Sequence, residues 1–179
     1  MSDSRDHMDF EVRFSDVGQA GEIEGVAVRF NTIDSYRSEF APGAFGNLDG
    51  RTVPMLWAHD AAQVIGSWSS FEARADGLAA KGKLNLSVAK ALEVRSLLAV
   101  GDIGGLSIGF STVKDERRAN NVRRILEARL FEISIVAFPA VPGSGVTKVR
   151  TDNHHPGFEE KAAAFAAACR AATLSLERK

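Results

Sequence analysis

Short runs of alternating apolar and polar residues recur through most of the chain, with turn-forming residues between them. Residues 10–30 carry such runs, separated by glycines and clearest at 10–14, and further runs lie at about 53–59, 64–73, 78–84 and 146–150. Successive side chains of a β-strand point to opposite faces, so this spacing predicts short strands with one buried face. Asp76-Gly77, between the runs at 64–73 and 78–84, is a strong signal for a tight hairpin turn. The charged residues 114–124 are expected to form an exposed loop or hairpin tip before the strand that contains Glu132.

One interior segment has helical periodicity instead. Ser87 is expected to cap a helix over residues 88–100 in which Ala91, Val94 and Leu98 form the apolar face, and Gly101 is expected to end it. Many short strands with one interior helix predict an α+β fold that is mainly β. We expect a closed or partly closed β-barrel surrounded by a few helices.

The two ends of the chain differ from this middle part. Residues 1–9 are polar and are expected to be flexible, whereas 10–150 are expected to form the barrel domain. Residues 151–179 are expected to form a linker and an alanine-rich C-terminal helix with a narrow apolar seam. That helix would dock on the barrel itself, or it would contact a second copy of the chain or a larger assembly.

Composition and charge exclude several classes of function. The formal net charge of −1 over 179 residues gives no sign of a nucleic-acid binder, and no run approaches the ~20 apolar residues that span a bilayer. A single cysteine, Cys169, rules out an internal disulfide framework and suits a reducing compartment such as the cytosol. Metal-ligand clusters and phosphate-binding loops are absent from the sequence, so neither a metal nor another cofactor is expected.

Candidate chemistry begins with a strand of sequence GGLSIGF at residues 104–110. Leu106 and Ile108 share one phase of the strand, while Ser107 and Gly109 share the other. Glycines beside a hydroxyl leave space for a peptide backbone to approach, although such strands also occur as plain packing sites. The letters also fit the Gly-x-Ser-x-Gly elbow of α/β-hydrolases, but a strand continues after Ser107 where that motif requires a helix.

Two other segments supply a base and an acid. His59 follows an apolar run, and histidine is the usual base that activates a serine near neutral pH. Glu132 lies inside an apolar strand, where a carboxylate needs a partner and could orient the histidine. The alternatives are a His59 that merely caps a strand and a structural Glu132 paired with Arg129 or Arg123.

Three motifs in this order resemble the prohead proteases of tailed bacteriophages, which are distantly related to the herpesvirus assemblins. They are LWAHD at 56–60, GGLSIGF at 104–110 and FEISIVAFPAVPGS at 131–144. The resemblance extends from about residue 10 to about residue 149. It implies an assemblin-like barrel and the role of a serine endopeptidase.

The resemblance also implies roles for particular residues. Ser107 matches the nucleophile, His59 the general base and Glu132 the third member, a position that is a histidine in assemblins. Ser134, two residues beyond Glu132, is a secondary candidate as a hydrogen-bonding neighbour or a rival. By analogy the oxyanion hole would lie in the loop over residues 139–145, where the possible backbone donors are Ala140, Val141 and Gly143.

The function implied by the resemblance is the processing of phage scaffold and major capsid protein segments during prohead maturation, with self-cleavage. The expected location is the immature capsid in the host cytoplasm, and the expected partners are the capsid protein, its scaffold segment and a second copy of the chain. An alternative function is a non-catalytic capsid-assembly or scaffold-binding module on the same barrel. A weaker third option is a cytosolic esterase or amidase of different fold.

Overall fold

A computed structural model describes residues 21–46 and 48–149 of the chain. Within those residues it has one α-helix, α1, at Ala89–Val100. The strands are β1 Glu22–Arg29, β2 Ser38–Phe40, β3 Val53–Trp57, β4 Asp60–Ala73, β5 Gly77–Leu84, β6 Gly105–Arg117, β7 Arg123–Val136 and β8 Gly145–Val149.

Seven of these strands close into a barrel in the order β7, β3, β4, β5, β1, β8, β6 and back to β7. All pairings in this ring are antiparallel except that between β3 and β7. The short strand β2 also lies parallel to β7, at the opposite end of that strand. The predicted closed, mainly β barrel is therefore confirmed.

The core of the barrel follows from the period-two pattern. The largest fully buried side chains are Trp68, Phe40, Met55, Ile65, Leu84, Leu106, Ile125, Leu130, Ile133, Ile135, Val28 and Val53. Burial of such apolar surface is the main favourable contribution to folding. Trp68 also donates its indole N–H to the carbonyl of Ile133 at 3.0 Å, which satisfies the only polar atom of that side chain.

Strand β7 is buried differently along its length. Ala128 and Leu130 are buried and alternate with exposed neighbours, as in a strand with one solvent-facing side. From Ile133 to Val136 every residue is buried, and the turn after β3 lies against the second face there, where His59 donates its backbone N–H to Ser134 Oγ. A polar residue in this doubly covered stretch must find its partners within the protein.

The sequence-based boundaries need two corrections. The helix begins at Ala89 with Val88 at its cap position, so Ser87 is not the N-cap. The reason is a turn that begins at Asn85. Its side-chain Oδ1 accepts the N–H of Ser87 and its backbone carbonyl accepts the N–H of Val88, so the helix begins only after this turn. Strand β2 was also missed, because three residues in a turn-rich stretch carry too little periodicity to predict a strand.

Other expectations are confirmed. Gly101 ends the helix with φ 82°, a left-handed conformation that favours glycine. The charged residues 114–124 form the end of the long hairpin of β6 and β7, which turns at residues 118–122. The helix expected in the C-terminal segment and the strand expected near residues 10–14 lie outside the described residues, and the proposed domain boundaries remain a prediction. Among residues 21–46 and 48–149, no helix has the length and apolar character to cross a membrane.

Candidate active site

His59 lies in the two-residue turn that joins β3 to β4. Trp57 pairs with Asp60 across this hairpin, so Ala58 and His59 are its two central residues. Their φ angles are 52° and 62°, the positive values that a type I′ turn requires and that glycine and asparagine usually supply. The sequence predicted a strand through residue 59, but the strand ends at Trp57 and the turn projects His59 from the barrel.

Strand β7 holds this turn from one side. Ala58 donates its backbone N–H to the carbonyl of Ile135 at 3.0 Å, and His59 donates its own N–H to Ser134 Oγ at 3.0 Å. Ser134 is fully buried. Positive φ angles at non-glycine residues are strained and persist only where surrounding contacts hold the backbone in place. The two hydrogen bonds to β7 are such contacts, and they fix the position of the backbone from which the His59 side chain extends.

Glu132 contacts the imidazole directly. Its Oε1 lies 2.6 Å from His59 Nδ1, and its Oε2 accepts a hydrogen bond from Ser134 Oγ at 2.7 Å. The Glu132 side chain is 13% exposed and that of His59 is 45% exposed, so the carboxylate is sheltered while the ring reaches solvent. Among the described residues Glu132 forms no ion pair with either alternative partner, Arg129 or Arg123, and Arg123 contacts Asp115 instead.

Ser107 lies beside this pair on strand β6. It is the register partner of Ser134, and Gly109 is the register partner of Glu132. Register partners present their side chains to the same face of a sheet, so the hydroxyl of Ser107 lies on the face that carries Glu132. The three candidate segments therefore converge at one end of the β6–β7 hairpin.

Ser107 and His59 line one cavity of about 150 Å³. Its other lining residues are Ala27, Val28, Asp34, Tyr36, Leu106, Ile108, Phe110, Ala140 and Val141. Among the described residues, no hydrogen bond joins Ser107 Oγ to the His59 ring, and such catalytic contacts often tighten only when substrate binds. Larger cavities of about 330 and 530 Å³ contain Ser69 or Ser67, but neither is lined by a histidine.

Gly109 has a steric role that the sequence did not reveal. A Cβ atom at this position would lie 2.5 Å from Glu132 Oε1 and 2.8 Å from Glu132 Cγ. Real Cβ atoms do not approach that closely, so any side chain would displace the carboxylate from His59. The glycine two residues after Ser107 was visible in the sequence, but its neighbour on β7 was not.

The candidate oxyanion loop connects β7 to β8. Ala140 and Val141 line the cavity that contains Ser107 and His59. Gly143 lines a different cavity of about 380 Å³ near the end of helix α1. Of the three backbone donors expected from the sequence, the structure thus places two beside the candidate nucleophile.

The part of the chain that the structure describes has no group of three or more histidine, cysteine, aspartate or glutamate side chains suited to a metal ion.

Residues 8–157 match the sequence model of the caudovirus prohead serine protease family. The chain belongs to this family. Family membership confirms the prediction made from the three ordered motifs, which all lie within the matched residues.

An individual prohead protease gives a similar result. The prohead protease of Enterobacteria phage HK97 is 31% identical over 147 residues, which cover 79% of this chain and 65% of that protein. The chain thus spans 65% of the length of this relative. Among solved structures, the KSHV protease in complex with a hexapeptide phosphonate inhibitor gives a TM-score of 0.45 at 13% identity, covering 72% of this chain and 64% of that one. That likeness is too weak to carry an argument about the site.

Proposed function

We propose that this member of the prohead protease family is a serine endopeptidase in which Ser107 is the nucleophile, His59 the general base and Glu132 the residue that orients the base. The observation that carries the proposal is the 2.6 Å contact between His59 Nδ1 and Glu132 Oε1, with Ser107 lining the same cavity as the imidazole. A carboxylate, an imidazole and a hydroxyl in this order form the constellation that activates serine in acyl transfer.

The carboxylate selects the useful tautomer of the histidine. An ionised Glu132 can only accept hydrogen bonds, so His59 Nδ1 carries the proton that bridges the 2.6 Å contact. The other ring nitrogen, Nε2, then holds a lone pair and can remove the proton of the Ser107 hydroxyl. When it does so, the imidazolium that forms remains beside the negative charge of Glu132.

The reaction would proceed in two stages. The Ser107 oxygen attacks the peptide carbonyl, His59 passes the proton to the departing amine, and an acyl-enzyme remains. Water then attacks the acyl group with His59 again acting as the base. The N–H groups of Ala140 and Val141 are the candidate donors to the oxyanion, because these two residues line the cavity beside Ser107.

Ser134 would support the triad rather than replace Ser107. Its hydroxyl donates to Glu132 Oε2 and accepts from the backbone N–H of His59, so it couples the acid to the turn that carries the base. It is fully buried, and both hydrogen-bonding roles of the oxygen are occupied. A buried hydroxyl in that position cannot meet a peptide substrate.

The substrate class follows from the family and its relatives. A prohead is an immature capsid, and the matched family and the matched relative are both named for prohead proteolysis. We therefore propose that the substrates are the major capsid protein and its scaffold segment, that the chain also cleaves itself, and that both reactions occur inside the prohead in the host cell. A homodimer remains a prediction.

Co-expression with the capsid protein of the same phage tests this function. The unaltered chain should cleave the capsid protein, and Ser107→Ala should abolish cleavage while the melting temperature is retained. Ser111→Ala is the matched control, since Ser111 lies on the same strand but outside the cavity. Continued cleavage by Ser107→Ala would refute the assignment of the nucleophile. Capsid binding without any cleavage by the unaltered chain would instead favour the non-catalytic assembly module.

A further inference from the structure

The candidate oxyanion loop contains a β-turn with a defined geometry. Ser144 donates its N–H to the carbonyl of Val141 at 3.1 Å, which closes a four-residue turn. Pro142 occupies the second position and Gly143 the third, with φ 77°. Proline followed by a residue of positive φ defines a type II turn, so the local sequence accounts for the shape of this loop.

Two groups outside the β7–β8 loop hold carbonyl oxygens within it. The Ala140 carbonyl accepts the backbone N–H of Ser35 at 3.1 Å, and the Gly143 carbonyl accepts the Nε–H of Arg29 at 3.1 Å. A peptide unit is planar, with its N–H directed opposite to its C=O. Fixing the Ala140 carbonyl therefore directs the N–H of Val141 away from Ser35.

The backbone N–H groups of Ala140 and Val141 are the relevant donors in this loop. Within residues 21–46 and 48–149, neither Ala140 nor Val141 donates its backbone N–H to any group. Both residues line the cavity shared by Ser107 and His59. Unpaired backbone donors at a site are costly unless water or a ligand accepts them, and an oxyanion is such an acceptor.

Arg29 is itself fixed by a second contact. Its guanidinium forms an ion pair with Asp76, at the turn between β4 and β5, and the backbone N–H of the following residue, Phe30, donates to the Asp76 carbonyl at 3.0 Å. One planar guanidinium thus joins a turn of the barrel wall to the β7–β8 loop. A lysine ammonium lacks the fork that serves two fixed acceptors at once.

We propose that Arg29 is a positioning residue for catalysis, which holds the Val141–Ser144 turn so that the backbone donors of the loop face the oxyanion. This inference rests on the proposed serine-protease function. Arg29 does not line the cavity of Ser107 and His59, so it acts through the Gly143 carbonyl. Loss of a whole oxyanion donor typically costs ~10²–10³-fold in rate, and misplacing one should cost roughly 10-fold.

The test compares two chemical probes on the full chain. A fluorophosphonate phosphonylates an activated serine and places its P=O oxygen in the oxyanion site, whereas diethyl pyrocarbonate acylates an imidazole without needing that site. Arg29→Met should slow labelling of Ser107 roughly 10-fold and leave the acylation rate of His59 unchanged, both followed by peptide mass spectrometry. Partial unfolding would change both rates. Slower labelling of Ser107 with an unchanged rate of His59 acylation would therefore indicate a positioning role rather than a structural one.

Arg74→Met is the matched control. Arg74 contacts Glu72 and Glu24 near the same turn of the barrel but makes no contact with the β7–β8 loop among the described residues. Its removal should leave both labelling rates unchanged, with a change in melting temperature similar to that of Arg29→Met. If Arg29→Met fails to fold, Arg29→Lys takes its place and should also slow the labelling of Ser107.

The outcomes distinguish this inference from the function on which it rests. If the unaltered chain is not labelled at Ser107, the proposed function fails and the role of Arg29 fails with it. If Ser107 is labelled in the unaltered chain and at the same rate in Arg29→Met or Arg29→Lys, only the role of Arg29 is overturned.

Discussion

Replacing Glu132 by glutamine tests the geometry of the triad with the smallest change of shape. The carboxylate uses both oxygens, one 2.6 Å from His59 Nδ1 and the other 2.7 Å from Ser134 Oγ. Both neighbours donate to it. A glutamine amide has one acceptor oxygen and one donor NH₂ group. The NH₂ group would therefore face either the N–H of His59 or the hydroxyl hydrogen of Ser134, unless the histidine changes its tautomer or the hydroxyl rotates.

The expected effect follows from the charge that the substitution removes. Unit charges 2.6 Å apart attract by about 1.6 kcal/mol at the dielectric constant of water and by about 6 kcal/mol at an effective value near 20. These limits correspond to about 10-fold and about 10⁴-fold in rate. The His59 side chain is 45% exposed, which weakens the attraction, but selection of the wrong tautomer adds to the loss. We expect a decrease of about 10³-fold.

The assay is the rate of fluorophosphonate labelling at Ser107 together with cleavage of the co-expressed capsid protein. Glu127→Gln is the matched control, because Glu127 is exposed on the same strand and lies away from the site. It should react at the rate of the unaltered chain. If Glu132→Gln labels as fast as this control while Ser107→Ala is inert, Glu132 does not orient the base and the 2.6 Å contact is structural.

Further substitutions test the surroundings of the triad. Ser134→Ala should lower the free energy of unfolding by about 1–3 kcal/mol in urea denaturation, since it leaves buried groups unpaired, and a smaller change would count against its bridging role. Gly109→Ala should push the Glu132 carboxylate aside and slow Ser107 labelling at least tenfold; Gly104→Ala, with nothing within 4 Å of its Cβ, should be unaffected. Ala58→Gly should raise the free energy of unfolding by about 0.5–1 kcal/mol by relieving the positive φ, and a lower melting temperature would contradict this.

Much of the barrel could be predicted because its signals are local. Alternation placed β5 and β8 within one or two residues of their observed bounds, and Asp76-Gly77 marked the turn between β4 and β5. An exposed loop or hairpin tip was also expected over the charged run between two apolar strands, and that run forms the end of the β6–β7 hairpin. Each of these features depends on neighbours in the sequence, which is why the sequence specifies it.

The residues of the candidate site could be found for a similar reason. Ser107 interrupts an apolar strand between glycines, Glu132 interrupts another, and His59 directly follows a third. A polar or charged group in an apolar segment costs free energy unless it finds a partner, so each is a signal even without coordinates. What the signals could not provide was the partner itself.

Only the tertiary structure decided those partnerships. In the structure Glu132 contacts His59 rather than an arginine, although the two residues are 73 positions apart in the sequence. The parallel pairing of β3 with β7 causes this, because it places the turn that carries His59 next to Glu132. The tertiary structure also joins Arg29 to Gly143 across 114 positions. The sequence by itself indicated most of the strands and the candidate site residues, since these depend on local propensity and burial. Which of those residues meet depends on barrel closure, and closure is a long-range property of all seven strands together.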